Sequence, residues 1–448
     1  MGQRAGLARQ WRRADARLTL TMANAQSSTL DQPKLTNKWV VLALLLGVAL
    51  VNYGDRYLLA GLVEPIKAEF GVSDGFMGLL MGPAFALLYS LLAIPIARYA
   101  DRVSRVAILC TGCVVWSGFT ILSGFANDPW MLALARVGVG VGEASFQAPA
   151  YSILAAYFAA EQRGRAFAVM TLAVYFGQYL GYRAGPEIAA AYDWRTAFEV
   201  MGLIGIAIAI VTFIVVREPP RAPTLASDHP KLLPLFAVLW KTPSFRCMAL
   251  GMAFATLSGL SFGMWGPALF ARAYDLPPTE ANAIFGLAFG LPGLIGTLIF
   301  GVLADRLTKR GPHWLLYLAA GATTAATLLI LTVTWAPNVA TAQLLAIPSG
   351  LLGGGWSVGI MSALQYLMPD RFRATGTALA LLVINLIGYV LGPLIAGNVS
   401  DLISGDPAYS LRVGLSVLIP VGFLGAWLMW RGAASLASDR DRLATVTV

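Results

Sequence analysis

From Trp39 to Trp430 long apolar stretches alternate with short polar ones, each apolar stretch about 20 residues or longer and without period-2 alternation. As an α-helix, such a stretch spans roughly 30 Å, the thickness of a bilayer's hydrocarbon core. The pattern predicts twelve transmembrane helices. Six lie near 39–66, 75–98, 105–126, 130–157, 165–191 and 195–216. Six more follow near 246–271, 279–304, 314–335, 339–367, 374–400 and 411–431. The strands of a membrane barrel alternate apolar and polar residues, so continuous apolar runs exclude that solution. The expected fold class is an all-α membrane protein built as two six-helix bundles.

Composition agrees, with 57% hydrophobic and only 12% charged residues, about half the charged share of a soluble domain. The net charge of +9 is a topology signal. Of 32 Lys and Arg, 25 fall in segments on the same side as the termini, and only Lys67, Arg195, Arg272 and Arg412 fall in segments on the other. The positive-inside rule then puts both termini in the cytoplasm and removes the case for a nucleic-acid partner. Short loops and a polar start without a signal core point to a bacterial inner membrane.

The expected organisation is a polar basic segment at 1–37, with Met22 as an alternative start, a first bundle at 38–216 and a cytoplasmic linker at 217–245. A second bundle at 246–431 and a cytoplasmic tail at 432–448 follow. Two echoes support a duplication: Ala304-Asp305-Arg306 repeats Ala100-Asp101-Arg102 at an offset of 204, and Gly388-Tyr389 repeats Gly181-Tyr182 at 207. The halves therefore run parallel. Cys110 and Cys113 have redox-motif spacing inside an apolar run, where small residues serve packing; His229 and His313 sit in loops without metal-ligand neighbours.

The segment Ala97-Arg98-Tyr99-Ala100-Asp101-Arg102-Val103-Ser104-Arg105 forms a short turn after the second helix, and Gly301 to Arg310 is its counterpart. Carboxylates there cap helix N-termini while arginines meet helix C-termini, so Asp101, Arg102, Arg105, Asp305 and Arg306 are expected to form a cytoplasmic latch that holds one conformation. The alternative is ordinary topology-setting charge.

Two six-helix halves with this motif in both resemble the major facilitator superfamily. Within it, Asn52-Tyr53-Gly54-Asp55-Arg56 with Ala60-Gly61, Phe70 and Ser73-Asp74 resembles the spinster group of lipid transporters, as does Gly140-Val141-Gly142-Glu143-Ala144-Ser145 with Ala148-Pro149. Proton-coupled organic anion symporters share the Asn-Tyr-x-Asp-Arg pattern.

Charged residues inside a bilayer are costly, which singles out Asp55, Arg56, Arg136, Glu143 and Arg183. Asp55 and Glu143 are the candidates for proton coupling, since a carboxylate can become neutral. Arg56 and Arg136 stay charged and suit anion recognition or switching. Arg136 and Glu143 are seven apart on one helix face, so Arg136 is the expected cation near Glu143. The alternative is a static network that only locks the first helix to the fourth.

Arg183 has three readings: it binds an anionic head group, snorkels to the outer interface, or is an introduced substitution. Gly177, Gly181 and Gly185 read as a helix-packing stripe. Tyr89, Gln147, Gln178, Trp265, Gln365 and Asn385 are expected around a central cavity, which otherwise offers few hydrogen-bonding groups. The resemblance implies a proton-coupled, monomeric secondary transporter of a lysophospholipid or sphingoid lipid, working in the bilayer by alternating access, with no cofactor beyond the proton. The rivals are a symporter of small organic anions such as sugar acids and a non-transporting membrane sensor. No catalytic constellation or metal cluster appears in the sequence, so an enzyme is not expected.

Overall fold

The computed structural model describes residues 35–220 and 232–446, whose regular structure is entirely helical. The expectations for the basic N-terminal segment, Met22 and His229 fall outside these residues. The first half is α1 (Lys38–Gly61), α2 (Asp74–Ala100), α3 (Arg105–Gly124), α4 (Pro129–Glu143 continued by Gln147–Tyr157), α5 (Ala160–Ala191) and α6 (Trp194–Val215). The second is α7 (Pro243–Tyr274), α8 (Pro278–Thr308), α9 (His313–Thr334), α10 (Val339–Leu367), α11 (Asp370–Asp401) and α12 (Pro407–Leu418 continued by Val421–Gly432).

Ten of the described helices are long and apolar enough to cross a membrane by themselves. The other two passes are α4, broken by a turn at 144–146, and α5, whose glycines, tyrosines, Gln178 and Arg183 lower its apolarity. Side-chain caps start many of these helices on the side opposite the termini, called here the far side. Ser73, Asp128, Asp193, Asn338 and Asp406 accept backbone N–H groups at the starts of α2, α4, α6, α10 and α12, satisfying donors that have no intrahelical partner.

Three features differ from the sequence expectation. The first helix ends at Gly61 rather than near 66, and a separate helix Val63–Phe70 follows. Pro65 has no N–H to give to the Gly61 carbonyl, so the ladder breaks there, and Asn282 of the second half donates to that carbonyl at 3.4 Å. The expected linker contains a helix, Leu232–Lys241, which buries Leu235 and Leu239. The expected tail contains the helix Leu436–Thr445, whose buried Asp439 accepts the Ser244 N–H at 2.8 Å and so caps the first turn of α7.

The glycine stripe of α5 lies against α1. A Cβ at Gly181 would stand 2.5 Å from the Gly54 carbonyl oxygen, so this approach is open only to glycine. Across the molecule the apolar core is asymmetric between the two sides. On the far side one cluster joins the halves, with Leu59, Met77 and Phe198 packed in the same core as Phe270, Phe285 and Leu411. Toward the terminal side the core divides into one cluster mostly of the first half and one mostly of the second. The halves are thus packed together on the far side and splayed on the terminal side.

Candidate functional site

A cavity of about 420 Å³ occupies the middle of the molecule between the halves. From the first half Tyr53, Arg56, Tyr57, Tyr89, Gln147 and Gln178 reach it; from the second come Met252, Leu260, Phe289, Ile330, Asn385 and Tyr389. It extends toward the terminal side as far as Trp356, Met361 and Leu381. On the far side an aromatic plug from both halves closes it. Tyr182 packs edge-on to Tyr57 at 5.3 Å and to Phe285 at 5.6 Å, and Phe289 stacks on Phe285 at 5.1 Å. The Tyr182 hydroxyl crosses the interface and donates to the Gly263 carbonyl at 2.6 Å.

The charged residues of the first half form a crossed network. Asp55 and Arg56 are neighbours on α1 and point about 100° apart. Arg56 turns to the cavity, where its Nη2 donates to Glu143 Oε2 at 2.6 Å and its guanidinium lies 4.9 to 5.4 Å from the ring centres of Phe85, Tyr89 and Tyr53. Asp55 turns into the bundle, accepts from Thr120 Oγ1 at 2.6 Å and lies 3.6 Å from Arg136 Nη1. Two acids and two bases, each at most 6% exposed, therefore balance in pairs between α1 and α4. A buried charge without such a partner is strongly destabilising.

Arg136 was expected to be the cation beside Glu143. The structure instead gives Glu143 to Arg56 and leaves Arg136 to Asp55; the two share the helix Pro129–Glu143 but stand two turns, roughly 10 Å, apart along it, so each meets a different residue of α1.

A second constellation, not anticipated from the sequence, ties the halves on the far side. Arg272 at the end of α7 donates to both oxygens of Asp74 at 2.7 and 2.8 Å and to Glu64 at 2.8 Å. Lys67 and Ser400 also donate to Asp74. In return Asp401, at the end of α11, accepts the Asp74 and Gly75 N–H groups at 2.9 and 2.7 Å, so the N-terminus of α2 is capped from the opposite half. The available signal was the presence of Lys67 and Arg272 among only four basic residues in far-side segments.

Several expected site residues lie elsewhere. Trp265 is fully buried and donates to the Pro393 carbonyl at 3.0 Å, outside the cavity lining, because it faces α11 rather than the halves' interface. Gln365 donates to Thr377 at the terminal-side end of α10, one turn or more below the cavity. Of the residues of the expected latch, Arg105 is bonded within the first half. Arg105 is held by Glu218 at 2.8 Å, Ser152 at 3.1 Å and the Pro219 carbonyl at 2.9 Å, whereas Asp101, Arg102, Asp305 and Arg306 are exposed. Arg183 pairs with Glu187 one turn along α5 at 2.6 Å, both side chains more than two-fifths exposed. The cavity also carries more hydrogen-bonding groups than expected, with Tyr53, Tyr89, Tyr175, Gln147, Gln178 and Asn385 on its wall.

Two parallel six-helix halves, pinned together on one side around a central cavity, define a carrier of the membrane-transport class. The chain belongs to the major facilitator superfamily, whose family model matches residues 45–393. Within it the protein is of spinster type. It is 32% identical over 432 residues to Protein spinster homolog 1 of Bos taurus, covering 90% of this chain and 81% of that one. It is also 31% identical over 407 residues to an MFS-type efflux pump of Mycolicibacterium smegmatis, covering 90% and 94%. The fold matches the crystal structure of a bacterial homolog to the human lysosomal transporter Spinster in an inward-facing and unoccupied conformation. The TM-score is 0.81 at 24% identity, with 90% of this chain and 98% of that one covered.

Proposed function

We propose that the protein is a proton-coupled secondary transporter that moves an amphipathic anionic lipid, of lysophospholipid or sphingoid type, by alternating access. The observation that carries this reading is the two-faced cavity. Its first-half wall offers the one guanidinium that reaches the described cavity, Arg56, set among tyrosine rings; much of its second-half wall is apolar. An anionic head group fits the first wall and a hydrocarbon chain the second.

Arg56 is occupied by Glu143. An incoming anion must compete for that guanidinium, and Glu143 then loses its cation inside low dielectric. A proton on Glu143 restores neutrality, so anion binding and proton uptake become linked without covalent chemistry. Asp55 is the second carboxylate in the same network, held by Arg136 and Thr120. The carrier works as a monomer in a bacterial inner membrane with both termini cytoplasmic, so the splayed side faces the cytoplasm and the pinned side the exterior.

A second reading, symport of a small organic anion such as a sugar acid, is favoured by the amide and hydroxyl groups on the cavity wall. Reconstitution in liposomes loaded with a pH-sensitive dye separates the two. Lysophospholipid-dependent proton flux, abolished in Asp55→Asn or Glu143→Gln, supports the lipid carrier. Flux with a hexuronate alone selects the second reading, and ligand-dependent thermal stability without any flux would indicate a sensor.

A further inference from the structure

The two halves differ at corresponding positions, and the difference locates a ligand subsite. Gly71 and Asp275, 204 residues apart, both end a helix in the left-handed conformation, with φ of 64° and 50°. This register pairs Asp55 of α1 with Gly259 of α7. On α4 and α10 a Cβ at Gly140 would meet the Phe85 carbonyl, and a Cβ at Gly350 would meet the Phe289 carbonyl. Together with the capping residues Asp128 and Asn338, this sets an offset of 210. Glu143 then pairs with Gly353, and on α3 and α9 Trp116 pairs with Ala326.

In the first half these three positions are filled and buried: Asp55, Trp116 and Glu143 are each at most 1% exposed. In the second half the residues at all three positions line the cavity. A Cβ built on Gly259 or on Gly353 meets no heavy atom within 4 Å. The cavity therefore runs past α7 and α10 to reach Ala326 and Ile330 on α9, while no residue of α3 lines it. The volume that the first half spends on a charged network is left open in the second.

We propose that this opening is the subsite for the ligand's hydrocarbon chain and that Gly259, Ala326 and Gly353 set the longest chain accepted. The inference rests on the amphipathic-lipid reading above and adds the place and the length limit. Each chain carbon that enters an apolar pocket contributes about a fourfold gain in binding. Side chains added at Gly353 or Ala326 project into the opening and remove that gain carbon by carbon.

The test is equilibrium binding of purified protein in nanodiscs to lysophosphatidylcholine-type and lysophosphatidylglycerol-type probes with acyl chains of graded length. Wild type is compared with Gly353→Ala, Gly353→Val, Gly353→Leu and, on a separate helix, Ala326→Phe. Affinity in the wild type should rise with chain length to a plateau. In the graded series the plateau should move to shorter chains while the shortest probe binds unchanged, which also certifies folding. At the longest chain a loss of tenfold or more is expected for Gly353→Leu and for Ala326→Phe. Chain-length profiles that superimpose on the wild type in both variants would overturn the subsite. Wild-type protein that binds a hexuronate and none of the lipids overturns the transport reading itself, a result separable from the first.

Discussion

Replacing Asp74 by asparagine should bias the carrier away from its far-side-closed state. The residue is 4% exposed and accepts from Arg272, Lys67 and Ser400. Arg272 comes from the second half and Asp74 from the first, so their bonds exist only while the far side is shut. A hydrogen bond to a charged group contributes about 1.5–3 kcal/mol, and breaking a buried pair costs about 3–5 kcal/mol. Because Glu64 still holds Arg272, the hydrogen-bond figure applies rather than that of a broken buried pair, about 2–3 kcal/mol, or roughly a 30- to 150-fold shift in the equilibrium. A far-side-open population of about 1% would rise to between roughly a quarter and a half or more.

The shift is measured by double electron–electron resonance in a background with Cys110, Cys113 and Cys247 replaced. Spin labels go on Tyr192→Cys and Leu402→Cys, which are 79% and 80% exposed at far-side helix ends of opposite halves. The variant should show a second, longer distance population. A distance distribution identical to that of the parent protein would refute the assignment of this cluster as the tie that holds the far side closed.

Glu143→Gln removes the negative charge that pairs with Arg56 at 2.6 Å and the site that takes the proton; lipid anions should bind roughly 10- to 100-fold tighter while substrate-driven proton flux disappears, measured by calorimetry and by dye-loaded liposomes. Gly181→Ala places a Cβ 2.5 Å from the Gly54 carbonyl oxygen, and overpacking of this kind should cost about 1–3 kcal/mol, read as a lower unfolding midpoint with the helical content unchanged. The Glu218 carboxyl, partly desolvated yet bonded by the Val106 N–H, Arg105 and Ser104, is held below the ordinary carboxylate range. A lowered folded-state pKa stabilises the protein above the unfolded value, about 4.3, and the benefit is lost as pH falls through the folded value. The midpoint difference between wild type and Glu218→Gln should therefore be full at neutral pH and shrink progressively as pH falls below about 4.3; a difference that does not change on acidification would contradict the Arg105–Glu218 tie.

The membrane spans were legible in the sequence because apolar length is a local property. Each lipid-crossing segment must satisfy its own backbone hydrogen bonds, so about 20 apolar residues fix a helix whatever it packs against. The buried charges Asp55, Arg56, Arg136 and Glu143 were legible as residues for the same reason, their cost in hydrocarbon. Their pairing was not. Spacing along α4 put Arg136 and Glu143 on one face, but they stand two turns apart, and the packing of α1 against that face gave Glu143 to Arg56 and Arg136 to Asp55.

The far-side cluster shows the same limit. Lys67, Asp74, Arg272 and Asp401 look like loop charges in a linear reading, and Glu64 falls at the end of the first expected span; they become a single tie only when α2, α7 and α11 meet. Trp265 and Gln365 went the other way: the helix turns Trp265 away from the cavity toward Pro393, and Gln365 lies beyond the cavity's terminal-side end on α10. Sequence determined which segments enter the bilayer and which charges they carry, since transfer free energy sums over a segment. Which charges neutralise each other, and where space is left for a ligand, depended on helix rotation and crossing, which only the packed tertiary structure decides.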